Sequence, residues 1–146
     1  MSVHQNRRLW QRHVLAENRR SIDGLLETLC AEPVYKIMAT DETYKGRERV
    51  AEFYQGLFDG VPDAVFELIN VFVGEEGVVE ESILRGTHHG PLFGLAPTGK
   101  PIVLPLTIVF PMLNGEILGE RLYFDLLTLL RQLEIAPGTL TGRSDV

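Results

Sequence analysis

The sequence predicts an α+β domain in which an antiparallel sheet is covered on one face by helices. Apolar residues recur at helical spacing through the first 60 residues, whereas four runs of β-branched and aromatic residues fill the stretch from 64 to 125. Turn sequences separate these runs, and Asn114-Gly115 is the strongest hairpin signal. Because helices precede strands instead of alternating with them, we expect a sheet that curves around the helices into a cone with a cavity at its open end.

Composition limits the classes of function that the chain can have. Its 146 residues are the usual size of one compact domain, and 45% hydrophobic residues suffice for one core. The 14 Lys and Arg residues against 20 Asp and Glu give a net charge of -6, with no basic tract for nucleic acid. No apolar run reaches the roughly 18 residues that a membrane span needs. The single cysteine, Cys30, and the polar segment 1–10 favour a cytoplasmic protein without disulfides.

Three helices are predicted before residue 62. The first covers residues 5–18, and the second begins at Ser21, a favourable N-cap residue, and ends at Pro33. Residues 34–39 then form a short strand. The third helix opens after Gly46 and presents an apolar face at spacings of three and four residues, made of Val50, Phe53, Tyr54, Leu57 and Phe58.

Four longer strands and a last helix follow. The strands are predicted at 64–73, 78–90, 101–113 and 116–125. Residues 126–133 return to a helical pattern. We therefore divide the chain into a single domain, 1–135, and a polar C-terminal tail, 136–146.

Four short segments of the sequence resemble the SnoaL-like polyketide cyclase branch of the nuclear transport factor two-like superfamily. They are Gly86-Thr87-His88-His89-Gly90, Gly94 to Lys100, Asn114-Gly115-Glu116-Ile117 and Tyr123 to Leu127. The resemblance covers about residues 8–134 and implies a cystatin-like cone, a curved, mostly antiparallel sheet wrapped on three N-terminal helices. It also implies an apolar pocket and a homodimer. Chemistry is not implied, because this fold carries cyclases, epoxide hydrolases, isomerases, dehydratases and binding modules.

The resemblance places a leucine where the aromatic polyketide cyclases have their general acid and base. That aspartate lies three residues before the aspartate of the Tyr-Phe-Asp-like segment, and the corresponding residue here is Leu122. A leucine moves no proton, so the family's usual mechanism is implied to be absent. Asp125 remains, and we expect it to cap the helix at 126–133 because it stands at the junction of strand and helix.

The catalytic patterns of two other members of the fold are also incomplete. Only the tyrosine of the limonene-epoxide hydrolase pattern is kept, since its positions are occupied here by Leu122, His89, Pro91, Tyr35 and Ile37. The ketosteroid isomerase pattern lacks its base and its acid, since its positions are occupied by Ile37, His13 and Ile108. His13 remains a candidate hydrogen-bond donor on the first helix.

Alternation of side chains along the strands selects the candidates for the cavity. If Leu122 faces the cavity, its face of the last strand also carries Leu118, Glu120 and Phe124. On the second long strand, the same test groups His89 with Glu81, Arg85 and Thr87. Tyr35 and Tyr54 add hydroxyl groups from other elements.

We predict that His89 is the catalytic base or acid, because an imidazole titrates near neutral pH. Glu120 would hold its tautomer, and Tyr35 or Arg85 would stabilise an enolate oxygen. The alternative is that the adjacent histidines point to opposite faces, one packed and one solvated. An ion pair between Arg85 and Glu120 inside the cone is a further prediction. The predicted ligand-contacting residues are His13, Ile37, Tyr54, Arg85, Thr87, Leu122 and Phe124.

Two classes of function are compatible with these residues. The first is a cyclase, isomerase or hydrolase that transfers protons on a small oxygenated hydrophobic molecule (polyketide-, terpenoid- or steroid-like), with no metal and no cofactor. The second is a module that binds such a molecule without converting it. In addition, the strand at 102–112 is apolar on both faces, which predicts a homodimer through the sheet.

Overall fold

A computed structural model describes residues 2–138, which form four helices and one six-stranded sheet. The elements are α1 (Val3–Asn18), α2 (Ile22–Leu26), β1 (Leu29–Ile37), β2 (Glu42–Lys45), α3 (Arg47–Gly60), β3 (Val65–Gly74), β4 (Gly77–Thr87), β5 (Pro101–Leu113), β6 (Glu116–Tyr123) and α4 (Leu126–Leu133). The predicted α+β class is confirmed. Residues 139–146 of the predicted tail lie outside the described residues.

Two predicted helix starts match the structure, whereas the predicted end of the second helix at Pro33 is wrong, because α2 ends at Leu26. The Ser21 hydroxyl accepts a hydrogen bond from the backbone N–H of Gly24 at 3.0 Å and so caps α2. The Asp125 carboxylate accepts bonds from the N–H of Leu127 at 3.0 Å and the hydroxyl of Thr128 at 2.9 Å. Asp125 therefore caps α4, as predicted, and these bonds hold its pKa below the usual value.

The strands are ordered β2-β1-β6-β5-β4-β3. Every neighbouring pair is antiparallel except β1 and β6, which run parallel. Two parts of the sheet differ from the prediction: β1 begins at Leu29 instead of 34, and β2 was not predicted. Pro33 thus lies within a strand, where the pairing with β6 shifts register between Leu29 and Val34 and so tolerates a residue without an N–H.

A bulge at Gly119 changes which side chains of β6 face inward. Ile117, Glu120 and Leu122 are all buried, so the inward positions are three residues apart and then two apart. Leu118 was predicted on the inner face with Leu122, and this is wrong, because the bulge turns it outward to 36% exposure. The inward position of Glu120 is a direct result of the bulge.

Helices α1 and α3 pack on the inner face of the sheet, and α4 packs on β5. The buried leucines of α4 are Leu129, Leu130 and Leu133. The Gln132 amide accepts from the backbone N–H of Val103 at 2.9 Å and donates to its carbonyl at 2.7 Å. It thereby satisfies the backbone N–H and carbonyl of β5 at a point where β5 extends beyond the end of β6. In the described part of the chain, no helix has both the length and the apolar character required to cross a membrane.

Candidate functional site

A hydrogen-bonded network of polar side chains lies inside the core, between α1, α3, β1 and β6. Its members are His13, Thr28, Tyr35, Tyr54 and Glu120, each at most 3% exposed. The Glu120 carboxylate is 2.6 Å from the Tyr54 hydroxyl and 3.0 Å from Nε2 of His13. Because buried polar groups are costly unless they are bonded, four elements must be correctly placed for this network to form.

His13 and Glu120 share one proton. The Thr28 hydroxyl has a single hydrogen and donates it to the Leu25 carbonyl at 2.6 Å, so it accepts from Nδ1 of His13 at 2.7 Å. Nδ1 therefore carries a hydrogen. Nε2 faces the Glu120 carboxylate, and the bond between them needs one more proton, on either the imidazole or the carboxyl. The pair is neutral overall with the proton in either position.

The hydroxyl groups of Tyr54 and Tyr35 extend the network away from Glu120. Tyr54 donates to Glu120, so its oxygen accepts from the Tyr35 hydroxyl, 2.5 Å away. Burial, followed by the charge of Glu120, raises the pKa of both tyrosines well above the ordinary value. Both hydroxyls therefore stay protonated, and they are hydrogen-bond donors throughout the neutral pH range.

A second buried carboxylate lies near this network without a basic partner in residues 2–138. Glu80 on β4 accepts from the Trp10 indole N–H at 2.9 Å and from the Ser82 hydroxyl at 3.0 Å. Burial raises the pKa of Glu80, and the two hydrogen bonds oppose this by lowering it. Two buried carboxyl groups, Glu80 and Glu120, thus lie near the imidazole of His13, and only Glu120 is bonded to it.

Replacing Glu80 with glutamine is expected to stabilise the protein at high pH. A carboxyl whose pKa is raised by folding stabilises the folded state below its unfolded pKa, and this contribution is lost as the pH rises through its folded pKa. Glutamine keeps an acceptor for Trp10 and carries no charge. Urea unfolding should show a gain for Glu80→Gln at pH 8 that shrinks towards pH 4, whereas the exposed control Glu116→Gln should show no such trend. An equal effect at both pH values would contradict the assignment.

A cleft of about 300 Å³ adjoins the network where α1 ends and β3 begins. Its wall includes Phe58, whose ring stacks on that of Tyr54 with centroids 6.1 Å apart. Glu17, one helical turn after His13, also lines it. Arg20 lies across the rim, where it donates to the carbonyls of Pro62 and Ala64 at 2.8 and 2.9 Å and stacks over Phe58.

The structure brings four of the predicted site residues together: His13, Tyr35, Tyr54 and Glu120. Two further predicted residues, Ile37 and Leu122, are buried and paired across β1 and β6. Glu120 is bonded to a histidine, but the histidine is His13 and not His89.

The predicted positions of His89, Arg85 and Thr87 are wrong. The inward residues of β4 are Glu80, Ser82 and Leu84, so the odd-numbered positions point outward. Arg85 forms an ion pair with Glu67 at 2.8 Å on the outer face, which excludes the predicted pair with Glu120. Thr87 binds Asp63 through its hydroxyl and its N–H, both at 2.8 Å, and this lowers the pKa of Asp63.

The two adjacent histidines follow the alternative interpretation, one packed and one solvated. His88 is buried with Nδ1 3.0 Å from the Thr98 hydroxyl, whereas His89 is exposed. Phe124 also lies away from the network. It follows the end of β6 and packs on Phe93, with ring centroids 5.0 Å apart, beside a groove on the outer face of the sheet.

Sequence analysis missed Glu17, Thr28, Glu80 and Trp10 as parts of the site. A usable signal was present in α1, where Trp10, His13 and Glu17 fall on one helical stripe with the apolar Leu9. Polar residues inside an apolar stripe indicate buried hydrogen bonds. Thr28 gave no such signal, because it lies between α2 and β1. No group of three metal-ligating side chains is found within residues 2–138.

A family model described as SnoaL-like polyketide cyclase matches residues 6–133. The chain belongs to this family. The match spans all four helices except the first residues of α1, together with the six strands, and it confirms the resemblance found in the sequence. No curated protein matches this SnoaL-like chain.

Solved structures confirm the fold of this SnoaL-like protein. A candidate SnoaL-like polyketide cyclase from Jannaschia sp. CCS1 has a TM-score of 0.82 at 24% identity, with 92% of this chain and 94% of that chain covered. A candidate polyketide cyclase from Xanthomonas campestris pv. campestris has a TM-score of 0.73 at 26% identity, with 89% and 97% covered. A protein with a ketosteroid isomerase-like fold from Catenulispora acidiphila, in complex with trimethylamine, has a TM-score of 0.73 at 16% identity, with 88% and 93% covered.

Proposed function

We propose that this SnoaL-like protein is a cofactor-independent enzyme of the cyclase or isomerase type. It would transfer a proton on a small, apolar, ketone-bearing molecule of the polyketide, terpenoid or steroid kind. The observation that carries the proposal is the single proton shared by His13 and Glu120, with Tyr54 bonded to the same carboxylate oxygen. Such a pair can pass a proton without a bound cofactor.

The network offers the two requirements of enolate chemistry. One is a group that gains and loses a proton, which the pair of His13 and Glu120 supplies. The other is a hydrogen-bond donor that stays protonated. Burial raises the pKa of Tyr54, and its hydroxyl would turn from Glu120 to donate to the enolate oxygen. The neighbouring cleft of about 300 Å³ has room for a molecule of one or two rings. Family membership and the candidate polyketide cyclases among the similar structures support the same class of reaction.

Exchange of the α-protons of 2-tetralone in D₂O, followed by proton NMR, tests this proposal. We expect the protein to accelerate exchange over buffer, and Glu120→Gln and Tyr54→Phe each to reduce the acceleration by about 100-fold, the usual contribution of a positioned acid or base. The control Glu116→Gln should keep the wild-type rate. Circular dichroism should show that each variant is folded. A wild-type rate equal to that of buffer, or full activity in both variants, would overturn the proposal.

A binding module is the second candidate function, and the centre of the inner face favours it. Leu122 is paired with Ile37 on β1 and with Ile108 on β5, so three hydrocarbon side chains lie side by side on adjacent strands. All three are buried. Such an apolar surface would retain a hydrophobic ligand, but it has no group that transfers a proton. Saturable binding of 2-naphthol, measured by its fluorescence, together with no exchange of 2-tetralone, would favour this function over the first.

We also propose that the outer face of the sheet joins two copies of the chain. This face has grooves of about 760 and 660 Å³, with Arg121 in the first and Glu81 in the second. Its exposed apolar residues are Ile69, Phe72, Val103, Leu118 and Tyr123. An apolar face with both charges suits a self-complementary dimer. Sedimentation at micromolar concentration should give a dimer, and Tyr123→Glu should give a folded monomer. A wild-type monomer would contradict the proposal.

A cytoplasmic location for the protein stays a prediction.

A further inference from the structure

We propose that Glu17 is the catalytic residue that contacts the substrate in the cleft and exchanges the proton with it. This inference rests on the proposed function and adds the group that touches the reacting carbon. The buried network alone does not supply that group, since Glu120 is only 3% exposed and is covered by Tyr54 and His13.

The position of Glu17 is the first argument. Of the residues that line the cleft, it is the one acid, and its side chain is only half-buried. The other lining residues are the polar Asn18 and Arg20 and the apolar or aromatic Phe58, Ala64, Val65 and Phe66. Within residues 2–138, no other side chain forms a hydrogen bond or ion pair with its carboxyl group. A half-buried carboxyl group that faces a cleft with an aromatic wall, and that has no bonding partner there, is placed to bind and deprotonate a ligand.

The groups around Glu17 give it the basicity that the reaction needs. Burial raises the pKa of Glu17 well above the ordinary value, and the charges of Glu120 and then Glu80 raise it further. No ion pair joins Glu17 to a cation within residues 2–138. Nε2 of His13 is bonded to Glu120, and the Arg20 guanidinium is bonded to backbone carbonyls at the rim. A carboxylate whose pKa is raised is a stronger base.

The reaction step balances with no co-reactant. The Glu17 carboxylate takes the proton from the carbon next to a substrate carbonyl, and the electron pair of the broken C–H bond moves onto the carbonyl oxygen as an enolate. Glu17 is then a neutral carboxylic acid. It returns the same proton to a different carbon in an isomerisation. In a cyclisation, the enolate carbon attacks a second carbonyl, and the proton passes to the alkoxide oxygen that forms.

Variants of Glu17 in the 2-tetralone exchange assay test this inference. We expect Glu17→Gln to lose about 100-fold or more of the exchange rate, and Glu17→Asp to keep part of it, since a shorter carboxylate remains a base. The matched control Glu27→Gln removes an exposed carboxylate of the same region and should keep the wild-type rate. Thermal melts of each variant separate a catalytic loss from unfolding.

The pH profile distinguishes Glu17 from a residue of merely structural importance. The wild-type exchange rate should fall as the pH drops through the pKa of Glu17. Glu80→Gln removes a negative neighbour that has no basic partner in residues 2–138, and it should move this midpoint to lower pH. Wild-type activity in Glu17→Gln, with activity lost in Glu120→Gln, would overturn the role of Glu17 and leave the proposed function intact. A wild-type rate equal to that of buffer would overturn both.

Discussion

Replacement of Glu120 alone by methionine is expected to lower the free energy of unfolding by about 3–5 kcal/mol, because it leaves a buried imidazole and a buried phenol without their acceptor. Glu120 bonds both His13 and Tyr54 inside the core. His13→Leu should cost a similar amount, since it leaves the carboxylate buried without a cation. Either loss would be a large fraction of the total stability of a domain of this size.

The double variant separates the cost of a broken pair from the value of the pair itself. With both charges removed together, no unpaired ion stays in the core, so His13→Leu/Glu120→Met should be more stable than either single variant. Urea unfolding of the four proteins gives the coupling energy. The exposed pair of Arg49 and Glu52 is the control, and its cycle should give at most about 1 kcal/mol. Additive losses in the His13 and Glu120 cycle would mean that the two side chains are not coupled.

Alanine at Gly119 is expected to destabilise the protein by more than about 3 kcal/mol, the scale of backbone strain combined with steric overlap. Gly119 has a φ of +151°, and a Cβ at this position would overlap the backbone of Val34 on the paired strand β1. The overlap is with main chain rather than with a flexible side chain, so β1 and β6 would have to separate. Glu120, the next residue, would lose its position in the network.

A second glycine provides the matched control for Gly119→Ala. Gly56 lies in the exposed side of α3, and a Cβ there would meet nothing within 4 Å. Gly56→Ala should therefore stabilise the protein by about 0.5–1 kcal/mol, the difference in helix propensity between the two residues. Urea unfolding of both variants measures the contrast. A loss at Gly119 no larger than the change at Gly56 would show that the bulge accepts a side chain.

The elements with a strong local pattern were predictable from the sequence. An apolar run between turn residues placed β5 at its observed bounds, and a helical pattern did the same for α4. The Ser21 and Asp125 caps marked where helices begin. The first half of β1 was missed because Pro33 is a signal for the end of an element. Its place in the strand depends on a register shift against β6, which is a tertiary property that no local pattern contains.

The face of each strand was the least predictable feature of the site. On β6 the inward position of Glu120 was predicted, but Leu118 was misplaced, since the bulge at Gly119 has no clear local signature. On β4 the error came from the choice of histidine, because an inward His89 requires the odd-numbered positions to face inward. The sequence did not show this, because the buried even-numbered residues Val78, Glu80, Ser82 and Leu84 are no more apolar than the odd-numbered residues between them.

The two hydrogen bonds between the Gln132 side chain and the backbone of Val103 give α4 a protective role. Where β6 ends, the N–H and carbonyl of Val103 would otherwise be an open template for a strand from another molecule, and such templates lead to domain swapping and fibrillar aggregation. A side-chain amide has the same donor and acceptor groups as a peptide bond. Gln132 therefore makes the two hydrogen bonds to Val103 that a neighbouring strand would otherwise make. The C-terminal helix thus blocks the addition of a strand at this part of β5.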